Sequence, residues 1–339
     1  MKGASVQFAA PFDVDVVPAE VDVPGSGEVL VASRYSAISS GTEMLAYRGL
    51  LPQGLLLDES LAGMQEEATY PFKYGYALVG TVVRKGEDVD DAWLGRRVFA
   101  FHPHESHFVA STNALICLPD DLSFEDALFL ANMETAVSFL MDGRPMIGER
   151  VLVIGLGVVG LLTASLLLRQ QDLHVDVVDL KEKRRAWAKH IGVHEAYAPP
   201  ELDLIIGQEA NQYDLVYELS GNPAGLNAAI ASAKASGKIV VGSWYGTKPA
   251  ALDLGGRFHR SKLSIYASQV STLDPAHAGR WTKSRRLSLA LSLLPKLSPR
   301  RFISHQFSIE KAADAYQLLD QQNENSRLDE PLQVIFNYD

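Results

Sequence analysis

The chain has 339 residues, 47% of them hydrophobic and 21% charged, a formal net charge of -10 and one cysteine, Cys117. That length buries two cores of ordinary size. The acidic balance, without a long basic tract, argues against nucleic acid or an anionic membrane as a partner, and a lone cysteine excludes an intrachain disulfide and suits the reducing cytoplasm.

In chain order, residues 1–8 turn acidic and proline-bearing before any apolar stretch reaches signal-peptide length, so no secretion leader is expected. The first third reads as short strands: residues 28–33 and 77–84 are apolar and β-rich, and 97–101 follow the turn at Leu94-Gly95. In Phe101-His102-Pro103-His104-Glu105-Ser106-His107, three histidines and a glutamate crowd together. Pro103 makes the segment irregular, and it reads as a polar surface loop before it reads as a metal site. From about residue 122, helix-length segments alternate with apolar runs at 151–154, 175–178, 215–219 and 239–241. This is the α/β pattern of a doubly wound parallel sheet whose strands are covered on both faces. The apolar stretch 151–168 is broken by three glycines, a threonine and a serine, so it is a strand and a helix and not a membrane span. A further strand at 263–267 precedes a basic segment, Arg280-Trp281-Thr282-Lys283-Ser284-Arg285-Arg286, with Lys296, Arg300 and Arg301 beyond. Such a segment is either a solvated helix start or an attraction for an anionic small-molecule substrate. Helical patterns at 287–294 and 309–319 and a strand at 331–337 end the chain. The economical organisation is a discontinuous β-rich domain, 1–131 with 270–339, around a dinucleotide-binding Rossmann domain at 132–269.

The sharpest motif is Val151-Leu152-Val153-Ile154-Gly155-Leu156-Gly157-Val158-Val159-Gly160, a buried strand running into a glycine pattern and then a helical stretch, 161–169. The first glycine permits a tight turn, the second lets backbone approach a pyrophosphate, and the third lets helix and strand pack closely. The helix N-terminus adds free N–H groups, so Val158 and Val159 join the glycines as candidate contacts. About twenty residues on, Asp179 ends the next strand, where a carboxylate accepts hydrogen bonds from the adenosine ribose hydroxyls. This favours NAD(H) over NADP(H), whose 2′-phosphate would meet like charge, although Lys181, Lys183, Arg184 and Arg185 soften that penalty. Asp179 also suits an N-cap for a helix starting near Lys181. Ser220-Gly221-Asn222-Pro223 and Gly242-Ser243 close two more strands at the carboxyl edge, where ligands bind open α/β sheets, and each also reads as a plain turn.

With these residues in hand, the chain resembles the medium-chain dehydrogenase/reductase superfamily over nearly its full length. The matching stretches are Ser39-Ser40-Gly41-Thr42-Glu43 with Tyr47-Arg48-Gly49, Gly75-Tyr76-Ala77-Leu78-Val79-Gly80-Thr81-Val82, Pro145 to Gly160, and Ile303-Ser304-His305-Gln306-Phe307. In the first of these it is most similar to zinc-free branches around bacteriochlorophyllide dehydrogenase. The resemblance implies a GroES-like catalytic domain built from both termini, an inserted Rossmann domain, an active site in the cleft between them and a homodimer. It also implies the loss of zinc. Zinc-dependent members carry a cysteine at Ser40, a Gly-His-Glu at Gly75-Tyr76-Ala77 and a third ligand near Ala131, none of which can ligate here. By the same resemblance Thr42 matches a proton-relaying hydroxyl, Leu45 replaces the histidine that continues the relay, and Thr135 packs on the nicotinamide.

Without zinc, the protein's own donors must act on the substrate. Tyr76 is the candidate phenolic donor, unless it merely fills the vacated metal space. Glu43 tunes it, serves as a base, or holds structure by hydrogen bonding, and His104 is the next candidate acid or base. The expectation is zinc-independent hydride transfer on a carbonyl/alcohol pair. Reduction of an activated C=C bond, as in enoyl or quinone reductases, and a non-catalytic dinucleotide-binding redox sensor stay open.

Overall fold

The computed structural model describes residues 2–54, 56, 67–208, 212–321 and 330–338. The chain divides into two compact units, Met1–Ala131 with Ser292–Asp339, and Asn132–Leu291.

The first unit opens with an antiparallel hairpin, β1 (Lys2–Ala10) and β2 (Asp13–Glu20). There follow β3 (Glu28–Ala37), α1 (Thr42–Tyr47), β4 (Leu78–Lys85), β5 (Arg97–Ala100), β6 (His107–Ser111), β7 (Ile116–Cys117) and α2 (Phe124–Ala127). Helix α3 (Leu130–Gly143) crosses the junction. The second unit then alternates β8 (Arg150–Ile154), α4 (Val158–Leu167), β9 (His174–Val178), α5 (Glu182–Ile191), β10 (Glu195–Tyr197), α6 (Pro199–Ile205), β11 (Tyr213–Glu218), α7 (Pro223–Ser232), β12 (Ala233–Val241) and β13 (Ser264–Ala267). Helix α8 (Lys283–Leu297) leads back to the first unit, which ends with β14 (Ile303–Ser308), α9 (Ala312–Asp320) and β15 (Gln333–Asn337).

In the second unit the six strands are all parallel, in the order β10-β9-β8-β11-β12-β13. This is the doubly wound order whose reversal falls beside β8, the strand that carries the glycine turn. The runs 151–154, 175–178 and 215–219 lie almost wholly buried within it, as their unbroken apolar character requires. In the first unit β15 lies between β14 and β3, and β3 also pairs with β4 and β6. The C-terminal segment therefore completes a core begun at the N-terminus: Tyr316 and Phe336 join Phe8, Tyr47 and Phe72 in one cluster. No helix among the described residues is long and apolar enough to cross a membrane.

The second junction falls at Leu291/Ser292, about twenty residues beyond the sequence-based boundary at 270. Side chains at the ends of α3 explain the difference. Arg286, only 2% exposed, pairs with Glu134 at 3.1 Å and donates to the carbonyls of Thr272 (3.1 Å) and Val270. His277 Nε2 meets the Met141 carbonyl at 2.7 Å, and Arg144 pairs with Asp274 at 2.8 Å. The segment from Val270 to Arg286 is thus bound into the second unit. Arg286 serves its core and is withdrawn from the basic surface, on which Arg280, Lys283 and Arg285 remain exposed.

Burial raises the Glu134 carboxyl above its ordinary pKa, against the lowering pull of Arg286. Breaking such a pair strands a charge in the interior, which costs about 3–5 kcal/mol, whereas replacing both partners with apolar groups is often neutral. Arg286→Met should therefore lower the stability of the second unit by about 3 kcal/mol in urea unfolding. The double variant Glu134→Leu/Arg286→Met should regain most of that loss, and an equal loss in both would show that the cost lies elsewhere.

Candidate functional site

Two constellations emerge, one in each unit. In the second, the chain leaves β8 through Gly155, whose φ of +93° lies in the left-handed region that glycine alone enters freely. A Cβ there would lie 2.6 Å from Ser220 Cα and 2.7 Å from the Leu219 carbonyl oxygen, so a side chain is excluded twice over. A Cβ on Gly160 would sit 2.0 Å from the Gly155 carbonyl oxygen, which is why helix α4 packs so closely on β8. Gly157 differs: it caps α4, and a Cβ would meet nothing within 4 Å. The protein leaves that space open at the end of a helix whose first amides have no intrahelical acceptor. Such a turn has room for a pyrophosphate, which the Val158, Val159 and Gly160 amides would hold.

Asp179 follows β9 and is 9% exposed. Its carboxylate accepts the Leu156 N–H at 2.6 Å and the Lys181 N–H at 2.8 Å, tying the glycine turn to the next strand. Arg184 stands 4.0 Å away, and Arg185 donates to the Asp179 and Leu180 carbonyls. Helix α5 takes Lys181 as its N-cap, so Asp179 is not the cap that its sequence position allowed.

Three of the other sequence-derived cofactor residues, Ser220, Gly242 and Ser243, gather around Glu218, which was not among the candidates. Glu218, fully buried at the end of β11, accepts from the Ser220 N–H (2.9 Å) and hydroxyl and from the Tyr245 hydroxyl (2.5 Å). Burial, and then the bond to this carboxylate, raise the Tyr245 pKa well above normal. The Gly242 and Ser243 amides donate to the Glu218 carbonyl at 3.0 and 3.2 Å, and Ser243 Oγ accepts from the Gly221 N–H at 2.8 Å. Ser220, Gly242 and Ser243 therefore brace the carboxyl edge of the sheet. A glutamate inside the apolar run 215–219 was the available signal, since charged residues are rarely buried without partners. Thr135 is half-buried on α3.

In the first unit, Tyr76, Thr42, Glu43 and His104 are brought together by β3, α1, the segment before β4 and the segment before β6. The half-buried Tyr76 hydroxyl donates to Ser39 Oγ at 2.6 Å and lies 3.5 Å from Thr42 Oγ1. Ser39 Oγ also accepts the Thr42 N–H at 3.2 Å. Behind this cluster, Glu43 and His104 are both 0% exposed and 2.9 Å apart. Glu43 accepts further bonds from the Ser39 N–H (2.8 Å) and the Tyr316 hydroxyl (2.5 Å), while His104 Nδ1 meets Ser36 Oγ at 2.7 Å, itself 2.7 Å from the Tyr338 hydroxyl. Burial foremost holds both tyrosines protonated, with Glu43 adding to the effect. Gly75 makes room for the imidazole: at φ +122°, a Cβ would lie 2.8 Å from His104 Nε2.

The 101–107 segment is therefore not a polar surface loop. His104 turns fully inward, His102 stacks on Phe108 with ring centroids 3.9 Å apart, and Glu105 bonds His102 (2.9 Å) and Lys73. Among the described residues no group of three or more His, Cys, Asp or Glu side chains gathers to hold a metal. Ser40, Tyr76, Ala77 and Ala131 offer a hydroxyl, a phenol and two methyl groups, a donor set that does not fit a catalytic zinc.

Residues 158–284 match the zinc-binding dehydrogenase family. The chain is 26% identical to the uncharacterised zinc-type alcohol dehydrogenase-like protein YphC of Escherichia coli K12, covering 90% of this chain and 92% of YphC. It is 26% identical to the 2-desacetyl-2-hydroxyethyl bacteriochlorophyllide A dehydrogenase of Cereibacter sphaeroides, covering 93% and 94%. Its fold superimposes with a TM-score of 0.78 and 19% identity, over 99% of both chains, on an alcohol dehydrogenase of E. coli CFT073 crystallised with NADH. The chain is thus similar to zinc-binding dehydrogenases over residues 158–284 and to alcohol dehydrogenase-like proteins over nearly its full length.

Gly157→Ala should leave the melting temperature unchanged, because the added methyl meets only open space, yet weaken NADH binding at least tenfold in a fluorescence titration. Gly160→Ala should instead lower stability, as its methyl overlaps a backbone carbonyl. Unchanged NADH affinity in a folded Gly157→Ala protein would remove the pyrophosphate from this turn.

A pH signature belongs to Glu105. Burial alone would raise its carboxyl, but the bonds and charges of His102 and Lys73 outweigh it and hold the pKa down at about 2. A folded pKa below the unfolded one gives stability that is present above about pH 4.5 and lost as pH falls toward 2, worth about 3 kcal/mol for a shift of this size. The stability difference between wild type and Glu105→Gln should shrink across that window, and a difference independent of pH would show that the carboxylate is not stabilised there.

Proposed function

We propose that this chain is a zinc-independent, NAD(H)-preferring oxidoreductase acting on a carbonyl/alcohol pair of a small molecule in the cytoplasm. The observation that carries the reading is the Tyr76 hydroxyl: a half-buried phenol, held by Ser39 and Thr42, in the stretch that the resemblance matches to a metal-ligand segment of zinc-dependent members. Gly155, Gly157, Gly160 and Asp179 would hold the dinucleotide, which supplies the hydride when bound. Asp179 favours NAD(H), because its anionic carboxylate would repel a 2′-phosphate, with Arg184 a partial counterweight.

Tyr76 donates its proton to the substrate oxygen as charge develops there, taking the part that a Lewis acid plays in zinc enzymes. Thr42, 3.5 Å from the phenol, is a second hydroxyl for that oxygen. Glu43 and His104 are buried behind the cluster and neither reaches solvent, so they shape the Ser39–Thr42 turn and leave contact with substrate to the hydroxyls. The exposed Arg280, Lys283 and Arg285 favour an anionic substrate. Pairing of the exposed edge of β13 across a two-fold axis would give a homodimer.

The test begins with titration of the purified protein with NADH and NADPH beside metal analysis and sedimentation of the same sample. Tight NADH and weaker NADPH binding, no stoichiometric zinc and a dimer mass support the proposal, whereas one zinc per chain overturns its metal claim. NADH oxidation is then followed against a panel of ketones, aldehydes and enones. Tyr76→Phe should lower kcat about 100-fold on the best substrate. Activity on enones alone would move the reaction to C=C reduction, and tight NADH binding without turnover of any panel member would favour a sensor.

A further inference from the structure

We propose that Ser39 is the positioning residue of this site, holding the Tyr76 phenol and stabilising its deprotonated form. This deepens the reading that Tyr76 is the proton donor and rests on it. Ser39 lies just beyond the carboxyl end of β3 and is half-buried, beside the exposed Ser40. Two of its groups are committed, in three hydrogen bonds. Its N–H donates to Glu43 Oε1 (2.8 Å), and its hydroxyl oxygen accepts both the Thr42 N–H (3.2 Å) and the Tyr76 O–H (2.6 Å).

The geometry fixes what the hydroxyl can do. An oxygen that accepts two bonds still carries its own proton. While Tyr76 is protonated, Ser39 serves as acceptor and aims the phenol. When Tyr76 gives its proton to the substrate oxygen, the Ser39 O–H is in place to turn and donate to the phenolate, keeping its bond from Thr42. The proton returns to Tyr76 from solvent water, so the cycle consumes one proton and Ser39 is unchanged.

The backbone of Ser39 is set by a charge. Glu43 is buried and must be satisfied, and it is: the Ser39 N–H, the His104 Nε2–H and the Tyr316 O–H all donate to it. Among the described residues, the groups that meet Tyr76 include the hydroxyls of Ser39 and Thr42 and the ring of Tyr74, at 6.2 Å between centroids, with the Glu43 carboxylate one hydrogen bond behind Ser39. A hydrogen bond to a phenolate at this place is the kind that shifts a titration.

The experiment uses the full chain labelled with 13C at tyrosine Cζ, the Tyr76 resonance being assigned by its disappearance in Tyr76→Phe. Ser39→Ala should move the Tyr76 titration midpoint upward by about one unit, the size expected for loss of a hydrogen bond to a charged group. Ser39→Thr should restore it. On the panel substrate with the highest turnover, Ser39→Ala should lower kcat about tenfold with KM within twofold. A midpoint unchanged in a folded Ser39→Ala protein overturns the proposal. Full activity in Tyr76→Phe overturns the donor reading instead, and the two failures are read on different variants.

Discussion

The first unit is organised around one buried carboxylate. Glu43 has no access to water, and an unpaired charge in such a place would cost many kcal/mol. Everything near it is arranged as a donor: the Ser39 amide, the His104 imidazole and the Tyr316 phenol. These partners come from β3's exit, the segment before β6, and α9, so one charge pins three distant stretches of chain. The glycine at 75 exists to let the imidazole reach it, and the short helix α1 starts where the Ser39 hydroxyl accepts from Thr42. The hydroxyl cluster stands on this buried support.

The second unit solves a different problem by backbone geometry. Its critical charges are the partial charges of helix amides, and Gly155 and Gly160 are dictated by approach distances of 2–3 Å to neighbouring backbone. Asp179 and Glu218 each close one gap between adjacent strand ends, the former to the Leu156 amide and the latter to the Tyr245 hydroxyl beyond β12. The two acids stiffen the carboxyl edge on which a dinucleotide would lie. At the opposite edge the buried Asp176 does the same for the strand beginnings, accepting from Arg150 at 3.0 Å and Tyr213 at 2.9 Å.

Local patterns carried most of what the amino-acid sequence disclosed. The parallel strands, the glycine turn and Asp179 are legible because each depends on neighbours a few residues away or on unbroken apolar character. Tyr316 was not legible as part of a polar site, since on α9 it shares a face with Ala312, Ala315 and Leu319 and reads as core. Its partner Glu43 is 273 positions distant, and Ser36 and Tyr338 are 302 apart. His104 was misjudged for the same reason: a histidine between proline and glutamate looks solvated until Glu43, 61 residues earlier, is placed against it. Arg286 sits in a run of cations, and only the fold picks out the one that Glu134 draws inward.

The position of β15 between β14 and β3 has a consequence for biosynthesis. The N-terminal stretch leaves the ribosome first but lacks the strand and helix that close its core, whereas Asn132–Leu291 is contiguous. At translation rates of about 5–20 residues per second, β3 waits roughly ten seconds or more for its neighbour. During that interval its open edge and the Phe8–Tyr47–Phe72 face are exposed to other chains. Completion of the first core thus waits on the last-made strand, while every strand of the second unit is synthesised earlier.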